Sequence, residues 1–107
     1  MTDNGVLREL DVKPQEWKEI THILKTYAPL YTVLAFGSRV TEKAKQFSDL
    51  DLAIMTQPPL SLSEYALLKE AFDESNLPYK VDIAGWAATS VAFQNIIKAN
   101  KLIIQRS

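Results

Sequence analysis

The stretch FGSRVTEKAKQFSDLDLAIM, residues 36–55, decides the fold of this chain. It joins a turn, Gly37-Ser38, across a gap of ten residues to two aspartates, Asp49 and Asp51, that are separated by one residue. On a strand, residues i and i+2 point to the same face, so the two carboxylates are expected to converge on one spot. A turn that lets phosphate approach the backbone, followed by paired carboxylates, suits a metal-bound triphosphate.

Apolar runs on both sides of the turn predict strands. Residues 32–36 precede the turn, and residues 50–55 contain the second aspartate. Runs of this length, rich in aliphatic residues and bounded by turn residues, are typical of buried strands. A third short run, residues 80–84, carries Asp82 between apolar neighbours. The apolar tail at residues 102–104 is compatible with either an edge strand or a docking segment.

Helix signals separate these strands. Pro14 opens a helix that is expected to end near Tyr27, and the Ser-x-x-Glu pattern at residues 61–64 opens one that runs to about Ser75. A last helix is predicted from about residue 89 to Asn100. The pattern therefore predicts a small α/β domain, with helices packed on a mixed sheet of three or four strands.

Two further expectations concern the segments around these elements. Residues 39–45 contain no helix breaker, so a short helix is predicted there, with Gly37-Ser38 at its amino terminus. Residues 1–13 are expected to form a loose lead-in to a single domain that spans residues 1–107.

Composition excludes several classes of function. The chain has 107 residues, no cysteine and one histidine, so disulfides, thiolate zinc sites and histidine clusters are excluded. A net charge of −1 argues against stable binding of nucleic acid by this chain alone. A local basic patch, Arg39, Lys43 and Lys45, is sized for a triphosphate. No signal peptide or long apolar run is visible, so we expect no membrane association and a cytoplasmic location.

The residues quoted above resemble the minimal nucleotidyltransferase domains of the DNA polymerase β-like superfamily. The family motif is Gly-Ser, a gap, and Asp-x-Asp, with a third acidic residue on a later strand. Here these positions are Gly37-Ser38, Asp49, Asp51 and Asp82. The resemblance covers roughly residues 30–86 and implies that family's fold.

The resemblance also implies roles for individual residues. Asp49, Asp51 and Asp82 would be the catalytic carboxylates and would hold two Mg²⁺ ions, with Mn²⁺ as a possible substitute. Gly37, Ser38 and Arg39 would bind the nucleotide, which would be ATP. Small stand-alone members typically act as antitoxins that transfer AMP to a tyrosine of a helical HEPN-type toxin encoded nearby, so a hetero-oligomer is expected.

Two alternatives to this function remain open at the level of the sequence. In the first, the chain neutralises its partner by forming a complex, with weak or no catalysis. Glu42 favours this alternative, because many relatives have glycine there and a carboxylate near the phosphates would repel them unless it points outward. In the second, the acceptor is a small molecule such as an aminoglycoside.

Overall fold

The computed structural model describes residues 9–107, in which four strands form one sheet. In chain order the elements are α1 (Pro14–Tyr27), β1 (Thr32–Phe36), β2 (Leu50–Met55), α2 (Leu62–Asp73), β3 (Val81–Gly85), a 3₁₀ turn (Trp86–Ala88), α3 (Val91–Ala99) and β4 (Leu102–Gln105). The predicted α/β class is confirmed. None of the helices in this part of the chain is long and apolar enough to cross a bilayer.

The sheet is mixed, as predicted, with the strand order β3-β2-β1-β4. Strand β1 is antiparallel to both of its neighbours, whereas β2 and β3 run parallel. A parallel pair needs a crossover connection, and α2 supplies it. The apolar tail forms β4, an edge strand paired to β1, so the first of its two predicted alternatives is confirmed.

The two faces of the sheet are covered unequally. One face, here called the two-helix face, packs against α1 and α2, and its buried strand residues are Val33, Ala35, Leu50, Leu52, Ile54, Val81, Ile83 and Ile104. The other, the one-helix face, has a smaller buried cluster made by Leu34, Phe36, Ala53 and Ile97 of α3. Alternation along β1 and β2 sends neighbouring residues to opposite faces, which is why the clusters separate so cleanly.

Helix ends lie close to the predicted positions because local capping fixes them. Ser61 caps α2 by accepting a hydrogen bond from the Glu64 amide, and the Glu64 carboxylate accepts one from the Ser61 amide. Ser90 caps α3 by accepting a hydrogen bond from the Phe93 amide. These bonds satisfy backbone donors that the first helical turn leaves free.

The short helix predicted over residues 39–45 is wrong, because this segment forms turns. The amides of Val40 and Thr41 both donate to the Gly37 carbonyl, and the Lys43 amide donates to the Ser38 carbonyl. Tertiary bonds of Arg39, described below, hold the segment in this shape against its local helical preference.

The predicted loose lead-in is only partly open to comparison, since residues 1–8 lie outside the described residues. The described part of it is packed. Leu10 is buried in the larger core, and the Asp11 amide donates to the Arg39 carbonyl at 2.8 Å. Within residues 9–13 the chain is therefore an integral part of the domain.

Candidate active site

Two predicted site residues lie side by side on the parallel strands. Asp51 of β2 is directly opposite Asp82 of β3 in the strand register. Side chains in register on neighbouring strands point to the same face of a sheet, with about 4.8 Å between strands. Asp49 lies just before β2, two residues from Asp51, so the three acidic residues predicted from the sequence lie at one end of this strand pair.

The carboxylates lie on the one-helix face of the sheet. Leu50 and Leu52 belong to the larger core on the opposite face, whereas Ala53 belongs to the smaller cluster, so Asp51 must share the side of Ala53. Asp49 and Asp82 are exposed, and Asp51 is partly buried. One carboxylate thus lies deeper in the site, with an exposed carboxylate on either side.

The carboxylates of Asp82 and Asp49 lie near enough to Asp51 to affect its ionisation. Burial, followed by the negative charges of Asp82 and Asp49, raises the pKa of Asp51 to about 6. A carboxyl that is both desolvated and surrounded by like charge favours either a proton or a bound cation. Such a perturbed pKa in a group of converging carboxylates is a frequent property of functional sites.

Gly37 joins this site through its backbone. Its φ is +82°, in the left-handed region that side chains disfavour, and a Cβ at this position would collide with Oδ2 of Asp51. Glycine is therefore required both by the turn and by the close approach of the carboxylate. The predicted turn thus lies directly against the deepest carboxylate, although no helix amino terminus supports it.

Glu42 lies further along the same segment, with a φ of +63°. A left-handed backbone explains why glycine suits this position, since glycine adopts that region without steric cost. The Glu42 side chain is exposed and lines a surface groove with Val40, Thr41 and Lys101. Of the two expectations for this residue, the structure supports the one in which it points outward.

Arg39 occupies a different place from the one expected of a phosphate ligand. Its side chain is 5% exposed, and its guanidinium donates to backbone carbonyls of Ser48, Asp11 and Gln46. Its Cζ atom lies 3.8 Å from the centre of the Tyr79 ring. With its donors directed at these carbonyls, the group as placed here does not support the expected contact with phosphate. Lys43 and Lys45 are exposed.

A hard cation such as Mg²⁺ requires oxygen ligands, which carboxylates supply. Among residues 9–107, no group of three or more His, Asp or Glu side chains is close enough to hold a metal ion alone. Mg²⁺ commonly binds through one or two carboxylates and completes its shell with water and substrate phosphates. The pair Asp51 and Asp82, beside the Gly37 turn, fits a cation that arrives with a nucleotide.

Sequence reasoning missed the residues that surround Arg39. Tyr79 stacks on the guanidinium and donates a hydrogen bond from its hydroxyl to Glu16, and Asp11 accepts from the guanidinium through its carbonyl. These partners lie between 28 and 63 positions apart in the chain. No spacing rule connects residues so distant, and carbonyl acceptors carry no side-chain signal, so only the folded chain reveals the cluster.

Comparison with known proteins agrees with this geometry. The family described as "Polymerase beta, Nucleotidyltransferase" matches residues 18–107. The chain is 50% identical, over 97 residues, to the probable protein adenylyltransferase MntA of Haemophilus influenzae, covering 91% of this chain and 85% of that protein.

Solved structures show the same fold at lower identity. A toxin–antitoxin complex with AMP-PNP matches with a TM-score of 0.71 at 18% identity, covering 85% of this chain and 73% of the solved one. A tri-AMPylated Shewanella oneidensis HEPN toxin in complex with MNT antitoxin matches with a TM-score of 0.64 at 17% identity, covering 87% and 71%. Together with the family match and the carboxylate geometry, these likenesses identify the chain as a member of the polymerase β nucleotidyltransferase family.

Proposed function

We propose that the chain transfers AMP from ATP to a hydroxyl, a tyrosine hydroxyl in particular, of a HEPN-type toxin, and thereby acts as its antitoxin in the cytoplasm. The observation that carries this proposal is the in-register pair Asp51 and Asp82 with the Gly37 backbone against it. The 50% identity to a protein named as an adenylyltransferase supports the activity. The solved complex of an MNT antitoxin with a tri-AMPylated toxin supports the acceptor.

The reaction forms a bond between the acceptor oxygen and the α-phosphorus of ATP and breaks the bond from that phosphorus to the leaving pyrophosphate. Divalent cations, Mg²⁺ above all, would supply charge neutralisation on the triphosphate and would favour loss of the acceptor proton. Asp49 and Asp51 would hold the cation that accompanies the triphosphate and would share the second cation, whose site Asp82 would complete.

The protein residues orient the reactants around these charges. Gly37 has no side chain, so its turn can lie directly against the Asp51 carboxylate and its backbone can be approached by a phosphate. Ser38, directly after it, offers a hydroxyl donor to the same phosphates. Asp82 is exposed on the edge strand β3 and is the group we assign to receive the acceptor proton.

Replacement of Asp51 by Asn tests the proposal. The chain is purified with its partner toxin, incubated with MgATP, and the intact mass of the partner is followed with time. We expect Asp51→Asn to lower the rate of AMP addition by at least about a hundredfold, the loss typical of one electrostatic contact to the transition state. Asp73→Asn is the matched control, since Asp73 lies on the surface of α2, paired with Lys69.

Either of two results would contradict the proposed AMP-transfer activity. AMP addition by Asp51→Asn at the wild-type rate would show that these carboxylates do not perform the transfer. Neutralisation of the toxin in cells by Asp51→Asn, without any AMP on the toxin, would favour the alternative of inhibition by complex formation.

A further inference from the structure

The guanidinium of Arg39 donates hydrogen bonds to the peptide unit that immediately precedes Asp49. Its Nε and Nη2 atoms both donate to the Ser48 carbonyl, at 3.0 and 2.8 Å. That carbonyl belongs to the peptide plane shared with the amide of Asp49. Because a peptide unit is planar, fixing its oxygen with two bonds also fixes the direction in which the chain enters Asp49.

The same side chain organises the turn before this peptide. Nη2 also donates to the Gln46 carbonyl at 3.1 Å. The turn closes on itself through the Ser48 amide, which donates to the Lys45 carbonyl, and through the Lys45 amide, which donates to the Ser48 hydroxyl. Arg39 therefore bridges the two ends of the loop that connects the Gly37 turn to the carboxylates.

The other side of the guanidinium is attached to the body of the domain. Nη1 donates to the Asp11 carbonyl at 2.8 Å, and the Tyr79 ring lies beneath the group. The Tyr79 hydroxyl donates to Glu16 near the start of α1. Tyr79 is also two residues from β3, whose Asp82 completes the site. We call Arg39, Tyr79 and Glu16 the arginine hub.

The chemistry of the hub requires arginine. Ion pairs within 4 Å in residues 9–107 are limited to Lys69 with Asp73, so the buried Arg39 charge is balanced by carbonyl dipoles and the Tyr79 ring. A buried charge is costly unless its donors are satisfied, and the planar fork of arginine presents five N–H groups in fixed directions. Lysine keeps the charge but offers neither the fork nor a flat surface for stacking.

We propose that Arg39 is a positioning residue, which sets the path of the chain into Asp49 and Asp51, and that it does not bind phosphate. In its effect on catalysis the inference rests on the proposed function. The two roles differ in what they predict. A phosphate ligand contributes to binding of ATP, whereas a positioning residue contributes to the geometry of the reacting groups.

The test measures kcat and KM for ATP in Arg39→Lys, with AMP transfer to the co-purified partner as the assay. We expect kcat to fall at least tenfold while KM for ATP changes less than threefold. Tyr79→Leu, which removes the stacking ring and the hydroxyl, should lower kcat in the same direction by a smaller factor. Ile20→Val is the control for lost stability, because Ile20 is buried in α1 away from the loop.

A second readout is independent of catalysis. Amide hydrogen exchange of Lys45 and Ser48 should accelerate at least tenfold in Arg39→Lys, while the amides of α2 keep their wild-type rates. If Arg39→Lys does not fold, Tyr79→Leu is measured in both assays in its place.

The outcomes separate this inference from the function on which it rests. A rise of at least tenfold in KM for ATP with kcat preserved would mean that Arg39 is a phosphate ligand and would overturn the inference. Kinetics and exchange equal to those of Ile20→Val would overturn it as well. If the wild-type chain transfers no AMP, the proposed function fails, while loop exchange still decides whether Arg39 holds the loop.

Discussion

The two faces of the sheet differ in what covers them and in what they carry. The two-helix face buries strand residues such as Leu52 and Ile54 completely, beneath α1 and α2. Within residues 9–107, the one-helix face has a small cluster covered by α3 and Trp86, and it carries Asp51 and Asp82. On α3, Phe93 reaches Phe36 edge to face at 5.7 Å, yet Ile96 remains 62% exposed.

One face of the sheet therefore supplies most of the stability, and the other face carries the candidate site. Converging carboxylates repel each other and need access to ligands, so they cannot lie beneath a closed apolar layer. Burial on the opposite face compensates for them, at roughly 25 cal/mol for each Å² of apolar surface removed from water. The small domain can therefore hold a strained polar site because its other face supplies most of the packing.

The largest effect is expected from Gly37→Val, which inserts a side chain between the turn and the Asp51 carboxylate. A branched side chain would meet Asp51 and would also be held at a left-handed φ. Nucleotide use should be abolished, and the melting temperature should fall. Nucleotide affinity measured by calorimetry checks this, and binding at the wild-type affinity would show that phosphates bind elsewhere.

Truncating one buried leucine on each face measures how much the packing of that face contributes to stability. Leu52→Ala removes a fully buried side chain beneath two helices, and Leu34→Ala is its matched counterpart beneath one. Buried Leu→Ala changes cost about 2–5 kcal/mol, and we expect Leu52 near the top of that range and Leu34 near the bottom. Urea unfolding gives both values. Equal losses would mean that the single helix covers its face as well as the pair does.

In the absence of metal, the repulsion among the carboxylates is expected to lower the stability of the fold. The folded pKa of Asp51, about 6, lies above the ordinary value of 3.8. A raised carboxyl pKa destabilises the fold at pH above the folded value, and the penalty fades as pH falls to the ordinary value. Hence Asp51→Asn should be more stable than wild type at pH 7.5, by about 1 kcal/mol after allowance for solvent screening.

Thermal melts in EDTA at pH 7.5 and pH 4 check this sign. The advantage of Asp51→Asn should disappear near pH 4. With Mg²⁺ and ATP at about a hundred times the dissociation constant, wild type gains roughly 2.7 kcal/mol and the order should reverse. If Asp51→Asn is less stable than wild type in EDTA at pH 7.5, the three carboxylates do not destabilise the fold by repelling one another.

The smallest effect is expected at Glu42. Glu42→Gly relieves a left-handed φ of +63°, but glycine also gains freedom in the unfolded chain, so the net stabilisation should be about 0.5 kcal/mol. Lys43→Gly, one residue along and exposed, should be destabilising instead, and chemical denaturation of both variants compares them. A loss of stability in Glu42→Gly would contradict the strain assigned to this turn.

Much of the fold was predictable because its signals are local. Pro14, the capping box at Ser61 and Glu64, and the apolar runs fixed the positions of α1, α2 and β1 to within a few residues. The short helix at residues 39–45 was predicted wrongly for the same reason, since its local signal is helical. Contacts from distant parts of the chain overrode that preference, and such contacts leave no periodic pattern in the sequence.

By itself, the sequence determined where the strands around the candidate site lie, because apolar runs, Gly-Ser and Asp-x-Asp are short-range patterns and side chains alternate along a strand. The tertiary structure decided which groups meet. It placed Asp82 opposite Asp51 through strand pairing, and it buried Arg39 against carbonyls from two separate segments, the one at Asp11 and the loop at Gln46 and Ser48. Pairing register and carbonyl contacts are set by the whole packed domain, and for that reason the role of Arg39 became visible only in the folded chain.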